Sequence, residues 1–367
     1  MPNQLLDAGH YHPAKAAEAP KELNINDAAA RLQTAGSDAH TREQGETAPE
    51  SLWNRIMAPT ERHDQVRESD KISAIKPGET TLEHINLPDG TKANYRLHVP
   101  KDYDGTKPLP VVIMFHGYGI RRGQGDTEKG AEGFEVVSNM SNIADREQFI
   151  AVYPDGNPNS SYSWNNGQWF FSKRNDVAFT KGMMDVLEAN LNVDKERMYL
   201  LGYSQGGSFT HSIGNKLSGR IAAAVENGGW MSGMEKQPES PYPMMTIQSI
   251  ADSVARFEGS PWYNIEMKPE AYTTDFYARA NGINGPGEVS TRVGEDGSQV
   301  KDVVFRNPQT GAEVRTVLLE KQKHLWFGGI GAEVAPINAS EEAWAFLKRF
   351  RKPQPQKDNL PELDFDR

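Results

Sequence analysis

Between residues 110 and 350, short apolar runs alternate with helix-patterned stretches, and this alternation restricts the fold more than any other feature. The runs at 110–115 (PVVIMF), 149–153, 198–201, 221–225, 244–250 and 314–319 are too short for helices and mostly apolar. A strand that is apolar on both sides is covered on both faces, as in a parallel sheet. Helix patterns lie at 134–146, 177–190, 205–217 and 341–350, with Ser340 as the cap of the last. The alternation predicts an α/β domain, a mostly parallel central sheet with helices on both faces. Residues 80–87 and 92–99 flank the turn Pro88-Asp89-Gly90 and predict an antiparallel N-terminal hairpin at its edge. Residues 301–306 and 314–320 predict a second hairpin, with the polar side chains Glu295, Asp296 and Asp302 facing water.

The flanks differ from this middle. Residues 1–75 are acidic, rich in Ala, Gln and Pro and poor in β-branched side chains, so they bury little. They are expected to form a polar extension, disordered or made of loosely docked helices, ahead of an α/β domain at 76–352 and a polar tail at 353–367. Two pieces have helical character, 26–32 and 51–57; in the second, the pairs Leu52/Ile56 and Trp53/Met57 share a face. Packing on the parent domain is the favoured reading, with docking of a protein partner through residues 1–75 as the alternative. The opening MPNQLLDAGHYHPAKAAEAP has no basic start followed by an apolar core, so no Sec signal peptide is expected. That leaves the cytoplasm, or export by a route without a cleaved signal.

Composition removes several function classes. Asp plus Glu number 50 against 40 Lys plus Arg, a net charge of −10, which argues against a nucleic-acid partner. The absence of cysteine excludes disulfides, thiol nucleophiles and Cys-ligated metal. No window approaches 18 uninterrupted apolar residues, so no membrane span is expected. The spacings of HExxH, EF-hand and zinc sites are missing, and so is a Gly-rich phosphate loop, so neither a metal nor a cofactor is expected. Arg121-Arg122-Gly123-Gln124-Gly125 lacks the Lys-Ser/Thr ending of a P-loop and reads as part of an entrance loop.

Gly202-Tyr203-Ser204-Gln205-Gly206 matches G-x-S-x-G. The pentapeptide alone is weak evidence, but here it follows an apolar strand directly and opens a helix. A serine on such a turn has its oxygen exposed above the sheet edge, and flanking glycines are needed because a side chain would collide with neighbouring elements. A hydroxyl needs a base to become a nucleophile. Of the nine histidines, His10, His12, His40 and His63 lie in the extension, and His84 and His98 on the hairpin. His211 is seven residues along the same helix as Ser204, about 10 Å away at 1.5 Å per residue. His324, in QKHLWFGG after the last apolar strand, is the candidate base. The acid that orients it should fall between the two in sequence. Asp252, two residues past the 244–250 strand, is favoured, with Glu226 as runner-up.

Phe115-His116-Gly117-Tyr118-Gly119 follows another strand end. The backbone N–H groups of Tyr118 and Gln205 are the candidate oxyanion donors, with His116 structural rather than catalytic. The loop at 162–179 is unusually aromatic; Trp164 and Trp169, with Phe170 and Phe171, either wall a substrate pocket or plug the space between loop and core. Trp230, Trp262 and Trp326 follow predicted strand ends and are further candidates for substrate binding. Asn175 and Asp176 are positioned to cap the helix from 177.

Taken in order, VVIMFHGYG, FIAVYPDG, SWNNGQ…NDVAF, RMYLLGYSQGG, KHLWFGG and NASEEAWAFLKRF resemble the α/β-hydrolase superfamily over residues 90–351. Within it they are most similar to the poly(3-hydroxybutyrate) depolymerase and feruloyl esterase-like group. The resemblance implies the α/β-hydrolase fold and a serine esterase, a hydrolase with Ser204 as nucleophile, Asp252 as acid and His324 as base, acting on a small or medium ester without a cofactor. The extension at 1–75 and the 121–130 loop are not part of the family pattern. An acyltransferase or a peptidase would use the same triad, and a non-catalytic binding protein on a hydrolase fold is the alternative from another class.

Overall fold

The computed structural model describes residues 23–35, 71–119, 130–168, 171–262, 265–330 and 334–352. The strands are β1 (Thr80–Asn86), β2 (Lys92–His98), β3 (Leu109–Phe115), β4 (Ile150–Pro154), β5 (Val193–Tyr203), β6 (Ala223–Asn227), β7 (Met244–Ser249), β8 (Ser260–Trp262), β9 (Ile265–Met267), β10 (Glu288–Val293), β11 (Gln299–Arg306) and β12 (Glu313–Leu319). Among the described residues, ten of them form one sheet in the order β1-β2-β4-β3-β5-β6-β7-β12-β11-β10. The middle, from β4 to β12, is parallel. The hairpin β1–β2 closes one side and β12–β11–β10 the other, both antiparallel. β8 and β9 form a separate two-stranded ribbon.

The helices are α1 (Ile25–Ala35), α2 (Gly130–Ser138), α3 (Met140–Glu147), α4 (Asp176–Asn190), α5 (Gln205–Lys216), α6 (Glu270–Ala280) and α7 (Ala339–Leu347). They divide between the two faces of the sheet. Leu32, Phe179, Met183, Phe209 and Tyr277 bring α1, α4, α5 and α6 into one core. Phe134, Ile143, Trp344 and Phe346 bring α2, α3 and α7 into the other. The apolar strands are dictated by this arrangement: every residue of β4, β6 and β7 is buried.

Four local features differ from the sequence expectation. The single helix at 134–146 is two, because Asn139 takes a left-handed conformation (φ 57°) that Asn tolerates better than most residues. The last helix is capped by Asn338, whose side chain accepts from the N–H groups of Ser340 and Glu341. Ser340 is buried instead, donating to the Ser138 carbonyl at 2.6 Å. Asp302 does not face water: it is 6% exposed and pairs with Arg315 and Arg292, the second at 3.2 Å. Its strand β11 is covered by α1 rather than left as an open hairpin.

α1 itself is part of the body. Ile25, Ala28, Ala29 and Leu32 are buried on one stripe of it, Gln33 accepts from the Gly287 N–H at 2.9 Å, and Arg31 meets Glu258 at 2.6 Å. The other helical piece, 51–57, and the loop 121–129 lie outside the described residues. Among the described residues no helix is long and apolar enough to cross a membrane, and no cluster of His, Asp and Glu is arranged to hold a metal ion.

Candidate active site

Parallel strands point their C-terminal ends the same way, and loops leaving those ends meet at one rim. β5 ends at Tyr203, α5 begins at Gln205, and Ser204 is the single residue between them. Its φ of 54° and ψ of −124° are a strained backbone for a residue with a side chain. The turn is held from outside by the Ser204 N–H, which donates to the Asn227 carbonyl at 2.9 Å. Both glycines of the motif are sterically required. A Cβ at Gly202 would collide with the Gly206 carbonyl, and one at Gly206 with the carbonyls of Phe115 and His116.

His324 Nε2 lies 2.7 Å from Ser204 Oγ, and His324 Nδ1 lies 2.6 Å from Asp252 Oδ2. The other carboxylate oxygen, Oδ1, accepts from the N–H groups of Val254 (2.7 Å) and Ala255 (3.0 Å). Asp252 is therefore buried with each oxygen assigned a donor, and the Nδ1 side of the imidazole carries the proton. Nε2 is left to accept from the serine. Glu226, the alternative acid, does not reach His324; its carboxyl bonds to the Gly229 N–H and to Gln248 Nε2, the latter at 3.0 Å.

Of the two candidate oxyanion donors, Gln205 opens α5, where first-turn amides have no acceptor within the helix. Tyr118 follows Gly117, and a Cβ on Gly117 would lie 3.0 Å from Ser204 Cβ, so the turn bearing the Tyr118 amide abuts the serine. The turn is braced by His116. Its Nδ1 donates to the Gly117 carbonyl at 2.7 Å and its Nε2 accepts from the Gly156 N–H at 3.0 Å, which requires a neutral ring. Burial lowers the His116 pKa to about 4; the Gly117 bond opposes this and the Arg174 charge adds to it.

That shift has a consequence for acid stability. The unfolded imidazole, near 6.5, takes up a proton that the folded ring near 4 refuses. The contribution is present above pH 6.5 and is lost as pH falls from there toward 4. By linkage the whole loss is about 3 kcal/mol. His116→Gln is therefore expected to be less stable than the parent at pH 7, with a gap in urea unfolding that narrows by about 2–3 kcal/mol at pH 4.5. Parallel stability curves for the two proteins would contradict this.

The five tryptophans singled out above have different fates. Trp164 is fully buried, not a substrate wall: its ring packs 5.2 Å from Phe115 and 5.1 Å from Phe209, and its Nε1 donates to the His116 carbonyl at 2.8 Å. Trp326 is also core, edge-on to Phe134 at 5.0 Å with its Nε1 on Ser340. Both rings fill space among Phe115, Phe209 and Phe134 in the two main cores, and that demand outweighs the cleft. Trp230 belongs to a small buried apolar cluster with Phe171, Ala255 and Met267, apart from both main cores and tied to the triad by the Ala255 N–H on Asp252. Trp169 lies outside the described residues, as does the side chain of Trp262. Asn175 caps α4, accepting from Ala178, whereas Asp176 forms a buried pair with Arg174 at 2.5 Å.

Three site-shaping residues were not anticipated in these roles. The Gln205 side chain binds the Trp164 backbone twice, at 3.0 and 2.9 Å, tying the aromatic loop to the serine turn. Tyr203 stacks on the His324 ring, and its hydroxyl donates to the His324 carbonyl at 3.2 Å. Gly228 (φ 61°) lies under the imidazole: a Cβ there would be 3.3 Å from Cε1 and 3.4 Å from Nδ1. Tyr203 and Gln205 were visible as the variable positions of G-x-S-x-G; Gly228 carried no sequence signal beyond being a glycine after a strand.

Comparison with known proteins agrees with this architecture. The family model described as Esterase matches residues 89–211, which include the His-Gly turn and Ser204. Feruloyl esterase B of Piromyces equi is 24% identical over 69% of this chain and 44% of its own length. Feruloyl esterase D of Neurospora crassa is 25% identical over 64% of this chain and 78% of its own. The chain thus spans less than half the length of the Piromyces relative. Among solved structures, the acetyl xylan esterase of Aspergillus awamori superposes with a TM-score of 0.51 at 13% identity, covering 72% of this chain and 98% of that one, a likeness of fold. The chain has the α/β-hydrolase fold and is similar to esterases, the feruloyl esterases among them.

Proposed function

We propose that this protein hydrolyses carboxylic esters through an acyl-enzyme on Ser204. The observation that carries the reading is the continuous pair of hydrogen bonds from Ser204 Oγ through His324 to Asp252. His324 Nε2 takes the serine proton as Oγ attacks the ester carbonyl, and Asp252 stabilises the imidazolium that forms. The N–H groups of Gln205 and Tyr118 receive the negative oxygen of the tetrahedral intermediate. Collapse expels the alcohol, which leaves with the proton from His324. Water, deprotonated by the same nitrogen, then attacks the acyl-serine and releases the acid.

The relatives are named feruloyl and acetyl xylan esterases, which supports an aromatic or short acyl group as the part held by the protein. The small apolar cluster of Phe171, Trp230, Ala255 and Met267, outside both main cores, supports an apolar acyl group. A hydroxyalkanoate ester is the other substrate class the sequence resemblance suggests. The test is pre-steady-state turnover of p-nitrophenyl acetate and methyl ferulate. A burst of p-nitrophenol equal to the enzyme concentration, with ferulate released from the second ester, is expected. Absence of both burst and turnover across an ester panel would overturn the reading.

A further inference from the structure

We propose that Glu226 is a positioning residue: its buried carboxyl clamps the turn at 227–230, and that turn sets the distances among Ser204, His324 and Asp252. This rests on the triad reading above.

The clamp is a closed ring around one residue, Gly229. Glu226 is fully buried near the end of β6. Its carboxyl accepts from the Gly229 N–H and, at 3.0 Å, from Gln248 Nε2. The same Nε2 donates to the Gly229 carbonyl at 3.0 Å. The donor and acceptor associated with Gly229 are therefore both held, and from two different strands. A buried N–H needs an acceptor, but one backbone carbonyl would satisfy it at far lower desolvation cost than a carboxyl. What the carboxyl adds is a second oxygen that reaches Gln248 and locks the orientation.

The turn held in this way touches every member of the triad. Asn227 O accepts the Ser204 N–H at 2.9 Å. Asn227 Nδ2 donates to the Leu325 carbonyl, next to His324, at 3.3 Å. Gly228 lies against the imidazole, and a Cβ on it would be 3.6 Å from Asp252 Oδ2. On the far side, Trp230 O accepts from Ser208 Oγ of α5 at 2.6 Å, and a Cβ on Gly207 would lie 3.0 Å from Gly229 Cα. A shift of the turn therefore moves the serine amide, the floor under the imidazole and the first turn of α5 together. Burial, with the neighbouring Glu270 carboxyl next in effect, raises the Glu226 pKa well above the usual carboxylate range.

The test compares Glu226→Gln, Glu226→Ala and Ser204→Ala in the full chain with p-nitrophenyl acetate, with circular dichroism to establish that each is folded. Gln keeps an oxygen for the Gly229 N–H; Ala keeps nothing. Glu226→Ala is expected to lower kcat about tenfold or more with KM within about twofold, because misplaced reacting groups cost transition-state and not ground-state binding. Glu226→Gln is expected to fall between Glu226→Ala and the parent, because its oxygen holds the Gly229 N–H while its NH₂ faces Gln248 Nε2 and opens the ring. Folded Glu226→Ala with parental kcat, a loss confined to KM, or Gln no better than Ala would overturn the clamp. If Glu226→Ala does not fold, Gln248→Met opens the ring and leaves the Glu226–Gly229 bond; a lowered kcat at unchanged KM supports the proposal and a parental kcat overturns it. Activity surviving in Ser204→Ala would instead remove the triad reading itself.

Discussion

Ser204→Ala is expected to lower kcat/KM for simple esters by a factor on the order of 10⁴ to 10⁶, while the protein stays folded. The two halves of this expectation have separate grounds. Activity goes because Ser204 Oγ is the hydroxyl facing His324 Nε2, and a side chain without oxygen has nothing for that base to deprotonate. The fold stays because the hydroxyl makes no cap bond to α5. The positive φ of residue 204 strains alanine and serine alike, so the change leaves the turn's energy nearly as it was. Whatever remains comes from substrate binding and the oxyanion donors. Measuring kcat/KM beside thermal unfolding checks both halves; a loss of less than tenfold in a folded variant would show that another nucleophile operates.

Asp252→Asn is expected to cost on the order of 10⁴ in kcat, through a reversed tautomer rather than a lost charge alone. The reasoning follows from the two sides of the carboxylate. Oδ1 receives the N–H groups of Val254 and Ala255, so an asparagine must turn its carbonyl oxygen toward them. Its NH₂ then faces His324 Nδ1, which Asp252 Oδ2 occupies at 2.6 Å in the parent. The imidazole responds by carrying its proton on Nε2, where it can no longer accept from the serine. Steady-state kinetics with p-nitrophenyl acetate test this. Near-parental kcat would mean that Asp252 does not orient the base.

The strands were readable because a parallel sheet covered on both faces demands buried, mostly apolar runs, clearest in β3 (LPVVIMF) and β4 (IAVYP). Placing Ser204, Asp252 and His324 near one rim followed from the same topology. β10 was not readable: its side chains are mostly exposed, so its sequence EVSTRV has no apolar face to show. α1 was legible as a helix packed on the parent domain, and its buried stripe of two alanines, one isoleucine and one leucine makes that contact. Trp164 and Trp326 were misplaced because an aromatic residue after a strand end looks the same whether it turns toward the cleft or inward. The role of Glu226 was hidden for another reason. β6 and β7 pair with Glu226 opposite Thr246, and only that register brings Gln248, two residues on, to the carboxyl and the Gly229 peptide.

The most direct test of the mechanism is to locate the acyl group. Enzyme quenched during the burst with p-nitrophenyl acetate and digested for mass spectrometry is predicted to carry one acetyl group, on the hydroxyl of Ser204, and none when His324 is replaced by Ala. An acetyl group on a different side chain, or turnover with no covalent intermediate on residue 204, would contradict the account.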